Sequence, residues 1–383
     1  MSSYIRSSDF VIDKKRIWFF STDVPVLCCY DLESEMMKKI IPIPYEGIGE
    51  TRFFERIVRI KDEIIGIPYN ADYYFVHSLV TDTSSIFKLA DPNSNSKLPN
   101  CYVTFWDRGL VYSFQPFTND DETIDETYKV AVLNLESKET SQYRLSNSLD
   151  FWSKGTHYPA FRRDYSFSRD TCFVLHGEYP EIVECKAGAS EVFFHKPCEE
   201  DFKFLTITEI KNGKFCLTDN KRRIWVWDCE NDSFSNIDVN IRGFQDPYGD
   251  AFAYSIVVDS TVYIFPYFSN TIIEFSPDSM EVKKAFFSDE VTCFEYVHGM
   301  SSLGYENEQF SRPYLYEDNL VIWNLWNKNL YFIDLKMKRV KGIKIKAFFE
   351  EELSSKLLSR TFEKNSYVME NFYINLETFI NTI

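Results

Sequence analysis

"VYIFPYFSNTIIEFS", residues 262–276, sets aromatic and β-branched runs on either side of a short break holding Pro266 and Asn270. Farther along, "LVIWNLWNKNLYFID", residues 320–334, has the same form. Runs of this composition read as strands. Their weak polar–apolar alternation marks strands covered on both faces. Pro and Asn suit the break, because Pro withholds a backbone donor and Asn bonds its own chain. The fold is decided by how often strand, break, strand returns.

Five further copies precede these two. They are "RIWFFSTDVPVLCCYDLE" from Arg16, "EIIGIPYNADYYFVHSL" from Glu63, and "GLVYSFQPF…YKVAVLNLES" from Gly109. "TCFVLHGEYPEIVECKA" from Thr171 and "GKFCLTDNKRRIWVWDCE" from Gly213 complete the set. The residue closing the second run is Asp31, Ser78, Asn134, Glu184, Asp228, Ser276 and Asp334 in turn. The period is ~50 residues, in the range of propeller blades. A further apolar run lies upstream of each copy ("ERIVRI", "LTITEI") and another downstream ("VKKAFF", "RVKGIKI"). Short turns such as Lys211-Asn212-Gly213 join the upstream run, as in hairpins.

Each copy therefore predicts a four-stranded antiparallel sheet. A lone sheet would wet both apolar faces, whereas stacking each on the next buries them at roughly 25 cal/mol per Å². Closing the stack into a ring leaves no terminal face exposed. The expectation is an all-β, seven-bladed β-propeller over 1–345. Its blades lie near 8–44, 53–91, 101–146, 164–198, 203–240, 251–287 and 312–345. The alternative is a six-bladed ring with the fourth copy as an irregular excursion. After Ile345 the period changes to that of helices: Phe349, Leu353 and Leu357 fall four apart, with acids first and bases last. Residues 346–383 are expected to form a helical tail packed on the propeller.

By period and strand order, residues 8–345 resemble the broad kelch and WD40-like propeller superfamily. Kelch repeats carry paired glycines, and none of the 13 glycines here adjoins another. Among the seven residues that close the second runs, the Trp-Asp ending of WD40 repeats occurs once, at Trp227-Asp228. The resemblance implies a propeller and brings no catalytic residues with it.

The 42 basic and 58 acidic residues give a net charge of −16, a field that repels phosphate backbones and makes nucleic acid a poor partner. No run reaches the roughly 18 apolar residues of a spanning helix, so no membrane role is expected. Charges at Arg6, Asp9 and 13–16 interrupt any leader-like apolar core, and the nine cysteines are scattered within apolar runs. Cytoplasmic residence is the expectation drawn from them.

Chain order puts the tight turns on one face and the longer breaks and crossings on the other, and function in scaffolded folds concentrates on such loops. The candidate ligand-binding residues there are Glu50, Arg52, Trp152, His157, Arg162, Asp246, Tyr248, Asp250, Tyr305 and Glu306. Aromatic rings with carboxylates and Arg suit a glycan or a peptide.

No metal or cofactor is expected. The five histidines are dispersed, and "HKPC" (195–198) has no second ligand pair. "TNDDETIDET" (118–127) lacks the Gly and terminal Glu of a calcium loop and reads as a solvated break. No phosphate loop and no G-x-S-x-G turn is present. The favoured function is a non-enzymatic binding or scaffolding module for a protein or peptide. The alternative binds, hydrolyses or eliminates glycans with carboxylates near the axis, such as Glu50, Asp246 and Glu306.

Overall fold

The second and third strands of each repeat carry the core. In Val26–Asp31 five consecutive residues are buried, and in Thr261–Pro266 the last five are. Burial of neighbours in a strand means that both faces are covered, because successive side chains point opposite ways. The computed structural model describes residues 2–4, 7–21, 26–43, 54–68, 73–87, 104–107, 109–118, 124–144, 161–177, 179–186, 192–199, 201–246, 249–292 and 309–348.

These residues form seven four-stranded antiparallel sheets, each built from consecutive strands, and one two-stranded ribbon. The sheets, numbered 1 to 7, span 10–42, 54–87, 104–144, 161–195, 204–238, 252–284 and 314–344. The fourth copy is a full sheet (Phe161–Ser168, Thr171–His176, Ile182–Lys186, Val192–His195), so the six-bladed alternative falls. The only helix among the described residues is the single turn Ser288–Val291.

The chain divides into two units, 1–90 with 327–332 and 341–383, and 91–326 with 333–340. In the first, sheets 1 and 2 stack through Trp18, Phe20, Leu27, Phe54, Ile57, Ile64 and Phe75. The approach is tight at Gly66, where a Cβ would stand 2.7 Å from the Phe20 ring and 2.8 Å from Phe54. Ser2–Tyr4 pairs antiparallel with Lys346–Phe348, so the start of the expected tail is a strand. The rest of the tail, 349–383, lies outside the described residues. In the second unit Phe173, Phe204, Phe215 and Trp227 join sheets 4 and 5, while Ile224, Phe252, Ile264 and Phe275 join sheets 5 and 6.

The recurrent Asp or Asn has a local cause. Asp31 Oδ1 accepts the Ser34 N–H, Asn134 Oδ1 those of Glu136 and Ser137, Asp228 Oδ1 that of Glu230, and Asp334 Oδ1 that of Met337. Each makes an Asx turn that starts the hairpin to the fourth strand. Four residues on, Glu35, Asp82, Lys138, Asp232, Met280 and Lys338 all adopt left-handed φ between 47° and 61°. The fourth repeat breaks the pattern: its third strand runs past Glu184 to Lys186. The acidic segment 118–127 differs too, since Thr118 pairs with Ile124 and Phe117 with Asp125, beside a register shift after Pro116. Part of the expected loop is thus a long hairpin.

Asn270 explains the polar break quoted at the outset. It accepts the Gln245 N–H at 3.0 Å and donates to the Gly243 carbonyl at 2.9 Å, which braces the crossing from sheet 5 to sheet 6.

Candidate functional site

Four first strands carry a register shift near their start. It falls between Phe54 and Arg56, Phe161 and Tyr165, Phe204 and Thr206, and Phe252 and Tyr254, each time after a phenylalanine. A bulge bends its strand and re-aims the next side chain, a device common beside binding sites. In sheets 4 and 6 the re-aimed residues are Tyr165 and Tyr254.

Both rings meet Arg312, which precedes the first strand of sheet 7. The guanidinium carbon lies 4.6 Å from the Tyr165 ring centre and 5.7 Å from that of Tyr254, within cation–π range. Nη2 donates to Asp164 Oδ1 at 3.0 Å. Local chain geometry fixes Arg312: Pro313 restricts it to extended backbone. Ser311 beside it is buried, its N–H donating to the Trp323 carbonyl and its hydroxyl accepting the Trp323 N–H. Asp164 also accepts the Ile207 N–H at 2.9 Å, linking sheet 4 to sheet 5, as Asp9 accepts the Ile57 N–H between sheets 1 and 2.

On the same face the crossing 239–251 is held from below. Asp246 is buried, accepts the Gly249 N–H at 3.0 Å and stands 3.5 Å from Arg222 Nε. Arg222 also donates to the Asp246 carbonyl at 2.8 Å. Asp250 lies 3.4 Å from Lys203 Nζ. Gly249 sits at φ +76°, which an L side chain rarely adopts. Behind this lies Asp219, fully buried and accepting from Lys221 N, Arg223 N, Arg223 Nε and Trp225 Nε1.

Of the residues nominated from sequence, Asp246 and Asp250 are brought to one crossing, though as partners of cations. Arg162 lies in the strand Phe161–Ser168 next to the Tyr165 bulge. Glu50, Arg52, Trp152, His157, Tyr248, Tyr305 and Glu306 lie outside the described residues. The sequence reading missed Asp164, Tyr165, Tyr254 and Arg312. Arg312-Pro313 was the available signal, an extended arginine entering a first strand.

His195 of "HKPC" faces Glu184 at 2.9 Å through Nε2 and Asp232 at 3.0 Å through Nδ1. No group of three or more His, Cys, Asp or Glu is placed to hold a metal ion among the described residues. No helix there is long and apolar enough to cross a membrane.

No protein-family model matches the chain, and no curated protein matches it by sequence. Solved structures do match. Seven four-stranded antiparallel sheets, together with the likeness that follows, define a seven-bladed β-propeller. The chain is similar to a catalytically inactive virginiamycin B lyase from Staphylococcus aureus bound to quinupristin. That match has a TM-score of 0.54 at 8% identity, over 85% of this chain and 95% of that one. It is also similar to PorZ, an essential bacterial surface component of the type IX secretion system of Porphyromonas gingivalis. Here the TM-score is 0.53 at 10% identity, over 91% of this chain but 40% of PorZ.

The expectation of cytoplasmic residence is corrected on this finding, because a protein of this fold serves at a bacterial surface. The cysteine argument behind it fails physically. Burial pushes the Cys28, Cys185 and Cys216 thiols far above the usual thiol range, and Cys29 up to about 11. Burial disfavours the reactive thiolate of these four, so their reduced state does not by itself point to a reducing compartment.

Proposed function

We propose that the chain is a non-enzymatic binding propeller that takes a protein or peptide segment on the face built from the breaks and crossings. The observation that carries this reading is Arg312, a partly exposed cation held over the buried rings of the bulge residues Tyr165 and Tyr254. Aromatic and arginine side chains are the residues on which interfaces concentrate their energy. The braced crossing beside it supports the same reading, since a loop already ordered loses less entropy on binding. The charge of −16 argues against nucleic acid as partner.

The test is capture of partners by the immobilised protein, run beside Tyr254→Leu and alongside a turnover screen. The reading predicts a partner lost in the variant and no turnover. A partner set unchanged by the variant, or turnover without a partner, would sink it.

The catalytic form of the glycan reading requires an acid and a base among the carboxylates of this face, of which Glu50 and Glu306 lie outside the described residues. Asp164, Asp219, Asp246 and Asp250 are each engaged by an Arg or Lys, which commits them to bracing. The Tyr165 and Tyr254 rings, which a sugar would stack on, are covered by Arg312. Unaltered sugar affinity in Trp152→Ala and unaltered turnover in Asp246→Asn would reject that alternative. Kinship with kelch or WD40 repeats belongs to this proposal as well, supported by the Asx turn after the third strand, Trp227-Asp228 included.

A further inference from the structure

A serine, a histidine and an aspartate meet on the outer edge of sheet 2. Ser84 opens its last strand, Ser84–Phe87, directly opposite His77 of Tyr74–Ser78. The next residues along, Ser78 and Thr83, are joined by a backbone hydrogen bond. Ser84 and His77 are therefore the other kind of antiparallel pair, whose side chains come closest. The Ser84 hydroxyl lies 3.1 Å from His77 Nδ1. On the far side of the ring Asp82 Oδ1 stands 3.5 Å from Nε2. Its charge favours the proton on Nε2, which leaves the Nδ1 lone pair to take the proton of Ser84. Lys39 of sheet 1 bonds Asp82 and holds its carboxyl below the usual range, so it stays ionised. His77 is buried, its ring centre 5.3 Å from that of Trp18. Burial lowers its pKa, with Lys39 adding to the shift and Asp82 opposing it. The ring is thus neutral, and able to act as a base, at neutral pH. Ser84 itself is exposed.

Independently of the peptide-binding reading, we propose that Ser84 is a nucleophile toward activated acyl esters, with His77 as its general base, and so a site of covalent acylation. The Oγ–C bond forms as the bond from the acyl carbon to the leaving oxygen breaks. The proton passes from Oγ to Nδ1 and on to the leaving oxygen. In a pair of this kind the Ser84 N–H points out of the sheet edge, where it donates to the developing oxyanion. The acyl group then covers Nδ1, and the buried ring admits no water behind it. The ester persists, and the chain is modified rather than turning substrate over.

The experiment treats the full chain with p-nitrophenyl acetate, follows release of p-nitrophenolate and maps acetyl groups by peptide mass spectrometry. The expected result is a burst of one equivalent, with the acetyl group on Ser84. Ser85 is the internal control: it is exposed on the same strand but lies opposite Val76, on the other face. Ser84 is expected to acetylate at least ~100-fold faster than Ser85, the lower end of general-base assistance. Ser84→Ala is expected to abolish the burst, and His77→Gln to bring Ser84 down to the rate of Ser85. Where His77→Gln lowers the unfolding midpoint, the ratio of Ser84 to Ser85 in the unaltered chain decides alone. Equal labelling of the two serines, or a burst that survives Ser84→Ala, overturns the proposal. So does continued release past one equivalent that Ser84→Ala removes.

Discussion

Asp219→Ala is expected to be among the most damaging single changes in the second unit. The side chain is fully buried and accepts four hydrogen bonds: Lys221 N and Arg223 N at 2.9 Å on Oδ1, and Arg223 Nε at 2.6 Å with Trp225 Nε1 at 2.8 Å on Oδ2. Removing one partner of a buried ion pair costs about 3–5 kcal/mol, because the other charge stays buried. Here Arg223 keeps Glu199 on Nη1, which limits that part of the loss. The orphaned Trp225 N–H adds about 1–3 kcal/mol. The two together place Asp219→Ala near ~4 kcal/mol. Asp219→Asn is expected to recover little, since its amide would turn N–H donors toward Arg223 Nε or Trp225 Nε1. Urea unfolding followed by tryptophan fluorescence measures both variants, and a double-mutant cycle with Arg223→Met isolates the pair. A loss below about 1 kcal/mol, the worth of one ordinary hydrogen bond, with an unchanged m-value, would show that the cluster is not a brace.

Three further outcomes are expected. His176 is buried, its Nδ1 accepts the Tyr179 N–H at 3.1 Å, and desolvation lowers its pKa to about 4. The unfolded chain then binds the extra proton between pH ~6.5 and ~4, so stability falls as pH drops through that window, by at most ~3 kcal/mol. Denaturation midpoints from pH 4 to 7 should lose much of that slope in His176→Gln, and an identical slope refutes the assignment. Gly66→Ala, whose Cβ would meet Phe20 and Phe54 inside 3 Å, is expected to cost about 1–3 kcal/mol by overpacking; a neutral effect in thermal unfolding refutes it. Lys338→Gly, an exposed position at φ 53°, is expected to stabilise by ~0.5–1 kcal/mol, the left-handed penalty less the entropy of glycine; a lowered midpoint counts against that account.

The seven sheets were legible because a strand buried on both faces has to be apolar along its whole length. Phe19 and Cys28, or Ile264 and Phe265, announce this without any partner being known. The bulges were not legible. A register shift such as Phe252/Tyr254 depends on the strand opposite, and no local composition encodes it. Asp246 and Asp250 were found because charged and aromatic residues crowd the crossing. What they do was hidden, since Arg222 and Lys203 reach them from sheet 5 and from the segment entering it. Asp164 and Arg312 form an ion pair 148 positions apart, a separation at which single-sequence spacing carries no signal. Asx turns fall at the other extreme: four or fewer residues enclose each one, and Asp31 or Asp334 marks it directly.

The ribbon of Ser2–Tyr4 with Lys346–Phe348 sets how the molecule answers to force. Its antiparallel register places Ser2 opposite Phe348 and Tyr4 opposite Lys346. Tethers attached before Ser2 and beyond Phe348 leave from one end of the ladder and load its bonds one after another. Tension applied that way opens it as a zipper, at lower load than a shear geometry would need. A mechanical trace is therefore expected to begin with a small early release before any sheet gives way.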